Sequence, residues 1–152
     1  MPYINLLDQS GQVPEKSGIN WGLNTNELTG SVNTRVADAE LRITASLVRD
    51  NPGLIPQKNG SSKIPVVLKW DDGTNMNGSF EQSQYDIIVS GDIYPKALCS
   101  NSDKSILGSY LRHRLGVNLT KQITLADLEA YGRTNIEISI QPNGSYSLDF
   151  SV

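Results

Sequence analysis

The sequence is poor in the residues that covalent and metal-based chemistry requires. Of its 152 residues, one is cysteine, Cys99, and one is histidine, His113. A single cysteine excludes an internal disulfide, and no apolar run reaches the roughly 18 residues of a transmembrane helix. The first ten residues, MPYINLLDQS, lack the basic and apolar regions of a secretory signal. These absences predict a cytoplasmic protein that has no membrane association.

Motifs of common hydrolase and nuclease sites are also missing. A phospholipase-D-like nuclease uses a histidine followed two residues later by lysine, but His113 is followed by Arg114 and Leu115. No Asp-x-Lys or Glu-x-Lys sequence occurs, although metal-dependent restriction nucleases use such a group to hold Mg²⁺ and activate water. Nucleophile-elbow, Walker and dinucleotide-binding motifs are absent too. The sequence therefore predicts no enzyme activity, no cofactor and no metal.

One group of acidic residues is the remaining candidate for a metal site. The region 71–92 contains no lysine or arginine, and its acids are Asp71, Asp72, Glu81, Asp86 and Asp92. Asp71 and Asp72 precede a glycine, as turn residues do. We interpret the group as a solvated edge of the fold.

The composition is that of one turn-rich globular domain. Hydrophobic residues make up 38% of the chain, which also has 13 glycines and 7 prolines, and this length suffices for one core of ordinary size. Short strand-like segments are not separated by the long helices of parallel βαβ units. We predict a single domain over 1–152 that is mainly β, with short helices added.

The strand predictions depend on alternating apolar and polar residues and on turn signals. The predicted strands are 41–47, 64–70, 75–84, 136–140 and 146–150, with 85–90 either continuing the third or beginning another. Asp71-Asp72-Gly73 joins the second and third into a hairpin, and Asn143-Gly144 joins the last two.

Two helices are predicted before the C-terminal hairpin. The first has four apolar residues on one face, begins after Ser102 or Asp103 as N-cap, and ends at Gly116. The four are Ile106, Leu107, Tyr110 and Leu111. The second, 124–131, begins with a capping-box-like pattern and is followed by glycine.

The distribution of charge is the strongest indication of function. The formal charge is −3, so an anionic partner has to be met by bases that cluster locally. The segment 94–117 has one acid, Asp103, against the bases Lys96, Lys104, Arg112, His113 and Arg114. Short polar residues that suit base edges and phosphates accompany them at 100–105. This segment predicts a nucleic-acid contact loop followed by a supporting helix.

Several motifs resemble one family. The strings KSILGSYLRHRLGV at 104–117, YGRT at 131–134 and LDFSV at 148–152 resemble the C-terminal domain of NgoFVII-type restriction endonucleases, and VPEKSGINWG at 13–22 resembles the opening of that domain. The resemblance implies a B3-like DNA-binding pseudobarrel of about seven strands, whose two loops, the N-arm and the C-arm, enter the major groove. It also implies double-stranded DNA as a partner and a nuclease domain or subunit as a possible second one.

The resemblance places the N-arm at about 22–37 and the C-arm at about 90–105. Where the family has a loop rich in arginine and glycine, Arg35 is the only base here. Asparagine suits adenine edges, so the recognised sequence is expected to differ from that of the family. The predicted DNA contacts are Trp21, Asn24, Asn33, Arg35 and Asp38 around the N-arm, and Lys96, Ser100, Asn101, Asp103, Lys104, Ser105 and Arg112 in the C-arm and the following helix.

Other interpretations of these residues stay open at this point. Trp21, which we expect at a strand edge, has the features of a core aromatic that anchors the N-arm. Arg112 and Arg114 diverge by about 200° on an ideal helix, and each also suits a solvated helix end. A protein- or carbohydrate-binding β-barrel module is the alternative function, and a hydrolase with an unrecognised site is a third.

Overall fold

Strands are the main regular structure in residues 2–23, 37–81 and 86–152, which the computed structural model describes. The strands of this part are β1 Tyr3–Asn5, β2 Leu41–Arg42, β3 Lys63–Trp70, β4 Asn75–Glu81, β5 Ile87–Val89, β6 Asp92–Tyr94, β7 Ala97–Ser100, β8 Asn135–Ile140 and β9 Tyr146–Asp149. The helices are a 3-10 helix at Gly18–Leu23, α1 Ala45–Asp50, α2 Lys104–Leu115 and α3 Leu125–Tyr131.

Seven of these strands form one mixed sheet. Their order is β1-β8-β9-β3-β4-β7-β2, and β5 and β6 form a separate two-stranded sheet. Neighbours in the large sheet are antiparallel except β3 and β9, which are parallel. The two edge strands β1 and β2 contact each other, so the sheet nearly closes into a barrel. The predicted mainly β fold is confirmed.

The core lies inside this curved sheet and is covered by α2. Alternate residues of β3, β4, β8 and β9 point inward, among them Leu68, Phe80, Ile138 and Leu148, all buried. Each buried side chain of this size contributes about 1.5–3 kcal/mol. The helix adds Leu107 and Leu111, also buried. The inward side chains, every second residue on the strands and one face of α2, thus form one core.

Both predicted hairpins are confirmed. In the first, β3 pairs antiparallel with β4 from Lys63↔Glu81 to Lys69↔Asn75, and in the second β8 pairs with β9. A third hairpin joins β5 to β6 through Ser90-Gly91. The φ values of these two residues, 52° and 84°, match a two-residue turn in which both central residues are left-handed. Residues 82–84 of the predicted third strand, and residue 85 after it, lie outside the residues that the structure describes.

Three predictions about local structure were wrong. The alternation at 41–47 forms only the short β2, because Thr44 caps a helix by accepting a hydrogen bond from the N–H of Leu47 at 3.2 Å. Ile106 does not face the core and is 48% exposed. Trp21 lies in a 3-10 helix rather than at a strand edge.

The helix ends follow the sequence closely. Asp103 caps α2 by accepting from the N–H of Ser105 at 2.9 Å, and Gly116 ends the helix with φ of 71°. Thr124 and Asp127 form both hydrogen bonds of a capping box at the start of α3. These caps satisfy backbone groups that the first and last turns leave without partners.

A glycine on α2 allows a second chain segment to cross the helix closely. A Cβ atom at Gly108 would lie 1.5 Å from the carbonyl oxygen of Ala37. No side chain fits at that distance, so the backbone at Ala37 packs directly on the backbone of α2. This contact places the end of the predicted N-arm against the helix.

Replacing Gly108 by alanine tests the crossing. Helix propensity alone predicts that Gly108→Ala stabilises the protein by about 1 kcal/mol, whereas the contact predicts a loss of about 3 kcal/mol because Ala37 must move. Urea unfolding measures the sign. Ser109→Ala on the same helix is the control and should change the free energy of unfolding by less than about 0.5 kcal/mol. A stabilised Gly108→Ala variant would contradict the close crossing.

Candidate nucleic-acid interface

The two ends of the predicted N-arm are held together by main-chain hydrogen bonds. The N–H of Gly22 donates to the carbonyl of Asp38 at 2.8 Å, and the N–H of Glu40 donates to the carbonyl of Gly18 at 2.9 Å. The N–H of Ala39 donates to the carbonyl of Lys104 at 3.2 Å. The N-arm therefore begins at the 3-10 helix and ends next to it, beside the start of α2. Its predicted contacts Asn24, Asn33 and Arg35 lie outside the described residues.

A second segment leaves and returns on neighbouring strands. Glu81 at the end of β4 is paired with Ala97 at the start of β7, so the two residues that flank 82–96 lie side by side. We call 82–96, which contains the β5–β6 hairpin, the hairpin excursion. The predicted C-arm, 90–105, overlaps the hairpin excursion only at 90–96, which includes β6. The rest of the predicted C-arm contains β7 and the first residues of α2.

The surface between these two segments is concave and contains two cavities that share Trp21. One, of about 150 Å³, is lined by Ser17, Gly18, Trp21, Glu40, Arg42, Lys96 and Ala97. The other, of about 290 Å³, is lined by Trp21, Asp38, Lys63, Glu81, Ser100, Ser102 and Lys104. We call these residues together the floor. It brings together five predicted contacts: Trp21, Asp38, Lys96, Ser100 and Lys104.

Lys104 occupies the centre of the floor and is held from two sides. Its ammonium forms an ion pair with Glu40 and lies 4.2 Å from the ring centroid of Trp21. Burial opposes the charged form of Lys104, but the hydrogen bond and the negative charge of Glu40 outweigh it and raise the pKa of Lys104. Its side chain stays 23% exposed. Lys104 is thus a positioned cation that an approaching anion can reach.

An ionised carboxylate lies beside it. Glu81 accepts hydrogen bonds from the Ser79 hydroxyl and, at 3.0 Å, from the Cys99 thiol, and its carboxylate is 3.9 Å from Lys63. Burial opposes ionisation, but these donors and lysines keep the pKa of Glu81 below its ordinary value. Burial and Glu81 raise the pKa of Cys99 to about 12. The thiol therefore stays protonated at neutral pH.

Other predicted contacts build the loop at 101–103. The Ser100 hydroxyl donates to the Asp103 carbonyl and accepts from the N–H of Leu107 at 3.0 Å, and Ser105 donates to the Asp103 carboxylate. The N–H of Asn101 donates to the carbonyl of Asn77 at 2.9 Å. These bonds hold Ser102 with φ of 67° at the wall of the larger cavity. Such backbone strain is concentrated at functional sites in proteins.

Arg112 does not reach the floor. It is 0% exposed, and its guanidinium donates to the carbonyls of Lys121 and Gly108 and, at 3.4 Å, to the Asn20 side chain. Burial lowers the pKa of Arg112. We therefore remove Arg112 from the proposed DNA contacts, since a fully enclosed side chain presents no surface to a ligand.

Arg114 is likewise engaged within the protein. It forms a bidentate ion pair with Asp71, at 2.6 and 2.9 Å, and donates to the hydroxyls of Tyr110 and Tyr131. The bases that are adjacent in sequence thus separate in space. The predicted basic segment is not one basic surface.

Sequence reasoning missed several floor residues. Lys63 and Arg42 line the cavities but belong to segments far from 94–117, whereas Ser102 lies inside that segment and was not among the predicted contacts. An outward position on a strand is the signal that was available for Lys63. The acids Glu40 and Glu81 gave no such signal, because their neighbours on the floor come from distant parts of the chain.

The acidic group at 71–92 is dispersed in the structure. Asp71 pairs with Arg114, and Asp86 pairs with Lys58 at 2.9 Å. Within the described ranges, no three histidine, cysteine or acidic side chains are grouped as metal ligands would be. The described helices also include none that is long and apolar enough to cross a membrane.

The fold agrees with one protein family. Residues 2–142 match the family described as the NgoFVII C-terminal B3-like DNA-binding domain. The chain belongs to this family. No curated protein is significantly similar to the chain. Membership supports DNA binding as the function of this B3-like domain, and the family is a DNA-binding domain rather than a catalytic one.

The structural role of Arg112 in this B3-like domain can be measured. We expect Arg112→Met to lower the free energy of unfolding by about 2–4 kcal/mol, because Asn20 and two carbonyls lose a buried donor. The salt dependence of DNA binding by the folded fraction should stay unchanged. His113→Ala, at an exposed neighbouring position, is the control and should leave stability within about 0.5 kcal/mol. A stable Arg112→Met variant with a flatter salt dependence would reinstate Arg112 as a phosphate contact.

Proposed function

We propose that the protein recognises a specific sequence in double-stranded DNA, with the N-arm and the hairpin excursion entering the major groove on either side of the floor. The observation that carries this proposal is that the two segments begin and end beside the same surface. Each has its ends held together, and both border the same concave surface around Trp21 and Lys104. Two loops in this arrangement can contact one groove from both sides.

The floor and the N-arm have complementary chemistry. Lys96 and Lys104 contact phosphates in this proposal, since lysine acts as a point charge toward phosphate oxygens. Arg35, Asn24 and Asn33 contact base edges, arginine preferring guanine and asparagine adenine. Asn101 and Ser105 border the floor and add further polar contacts.

Acidic floor residues restrict the bases that fit. Glu81 stays ionised, and Asp38 is buried beside it at the same cavity. A carboxylate accepts a hydrogen bond from the amino group of cytosine and repels phosphate. The floor is therefore suited to a base edge at its acidic part and to the backbone at Lys104.

In this proposal the domain is the target-recognition module of a restriction endonuclease. Recognition and cleavage are then divided, because the matched family is a DNA-binding domain. The cleaving partner is a nuclease domain, either fused to this one or supplied as a separate subunit. The domain alone binds DNA without cleaving it.

Selection of bound sites from a random duplex pool tests this function. We expect repeated rounds with the whole chain to enrich one short sequence, because base-edge contacts discriminate by about 1–3 kcal/mol each. Incubation of the enriched duplex with the chain and Mg²⁺ should leave it intact. A pool that stays random after selection would contradict sequence-specific recognition.

Lys104→Ala tests the floor directly. The variant should bind every duplex more weakly, and the slope of log K against log salt should fall in magnitude by about one unit, because one phosphate contact is lost. Lys121→Ala is the matched control, since Lys121 lies beside the Arg112 end of α2, about 12 Å along the helix from Lys104. An equal slope for Lys104→Ala and the parent protein would remove Lys104 from the interface.

A further inference from the structure

We infer that the outward face of the β3–β4 hairpin is a second binding surface for the DNA backbone, continuous with the floor. We call it the strand face; its residues are Lys63, Val67 and Lys69 of β3 and Asn75 and Asn77 of β4. This inference rests on the proposed function and extends it, because neither the basic segment nor the two arms include these residues.

The pleat of the hairpin brings these side chains together. Alternate residues of β3 point inward to Leu68 and Trp70, so the intervening residues face outward, and all five residues of the strand face are exposed. Lys69 is paired with Asn75 and Val67 with Asn77 in the antiparallel register. Lysine and asparagine therefore form one row across two neighbouring strands.

The charge of this face suits a polyanion. It contains two lysines and two asparagines, in a chain whose formal charge is −3. Glu81 lies opposite Lys63 in the register, 3.9 Å away, so Lys69 is the cation that carries the charge argument. Among the residues that the structure describes, no acidic side chain forms an ion pair with Lys69. Lysine binds phosphate as a point charge, and asparagine is an amide donor to phosphate or sugar oxygens.

The other half of the sheet has the opposite character. Ser147 is the neighbour of Lys69 on β9, and two residues beyond it Asp149 is paired with Glu137 of β8. Asp149 and Glu137 thus add acidic groups to the outward surface as it continues away from β3. Both lysines of the described strands lie on β3.

The strand face is physically continuous with the floor. Lys63 belongs to both, because it lines the larger cavity together with Trp21 and Lys104. The N–H of Asn101 donates to the carbonyl of Asn77, so the loop that forms the cavity wall is bonded to the strand face. Lys63 and the Asn101–Asn77 hydrogen bond thus join the floor to the strand face.

The length of the hairpin sets the size of the added contact. Lys63 and Lys69 are six residues apart on one strand, which separates them by about 20 Å. That distance corresponds to about six base pairs along the axis of B-DNA. Lys69 would therefore contact phosphates roughly half a helical turn away from those near Lys104. Val67 lies between the two lysines and is 41% exposed, which gives the sugars an apolar surface.

Duplex length distinguishes this surface from the floor. The experiment compares a duplex limited to the sequence enriched by selection with one that extends it by ten base pairs on each side. We expect Lys69→Ala to bind the long duplex several-fold more weakly than the parent, with a salt slope smaller by about one unit. Binding of the short duplex should not change. Lys104→Ala should weaken binding to both.

Matched variants separate loss of charge from loss of fold. Lys69→Gln keeps the length and polarity of the side chain and should reproduce the effect of Lys69→Ala, whereas Lys69→Arg should restore binding. Lys121→Ala should bind both duplexes as the parent does, and thermal unfolding should be unchanged for all the Lys69 variants, because the position is exposed.

The possible failures point to different causes. If Lys69→Ala binds the long duplex as tightly as the parent does, the strand face is not part of the interface, and the proposed function stands. If both duplexes are affected equally, the extended contact is overturned as well. If selection enriches no sequence, the proposed recognition function itself has failed.

Discussion

A buried arginine, which has no acidic partner among the described residues, organises the part of the fold on which the interface is built. The guanidinium of Arg112 is satisfied by two main-chain carbonyls and by Asn20, and the Asn20 amide also bonds the backbone of Pro14 and Ile123. A charge in this position costs several kcal/mol unless its donors are all matched. Helix α2, the N-terminal segment and the chain before α3 therefore have to meet in one arrangement.

That arrangement determines where the functional surface lies. Asn20 is adjacent to Trp21, and Arg112 lies one turn beyond Gly108, where the backbone of Ala37 crosses α2. The start of α2 then brings Lys104 over Trp21 and beside Glu40. The N-arm is thus attached at both ends to a rigid part of the protein. A recognition loop gains specificity from such an attachment, because less conformational freedom is lost when DNA binds.

Local features of the fold were predictable, since they depend on neighbouring residues. The β3–β4 and β8–β9 hairpins follow from alternation around short turns, and the caps at Asp103 and Thr124 follow from side chains that reach their own backbone. The same reasoning failed at 41–47. There the alternating pattern was compatible with a strand, but Thr44 and the packing of Leu47 and Val48 favour helix α1.

The site was less predictable than the fold. Lys104 meets Glu40 across 64 positions of sequence, and Arg112 meets Asn20 across 92. A cluster of bases in sequence contains no information about such partners, so it suggested a basic surface where the structure has one positioned lysine, one buried arginine and one arginine paired with Asp71. The family resemblance was the more reliable guide, because it concerns the whole arrangement rather than one segment.

Two hydrogen bonds at the base of the N-arm join main-chain atoms of Gly18, Gly22, Asp38 and Glu40. Bonds of this kind place few demands on the side chains between them. Residues between these anchor points can therefore be exchanged without loss of the attachment. Under the proposed function, the recognised DNA sequence can then diverge while the scaffold is retained. For the same reason, transplanting a loop from a relative between these anchor points is a direct route to altered specificity.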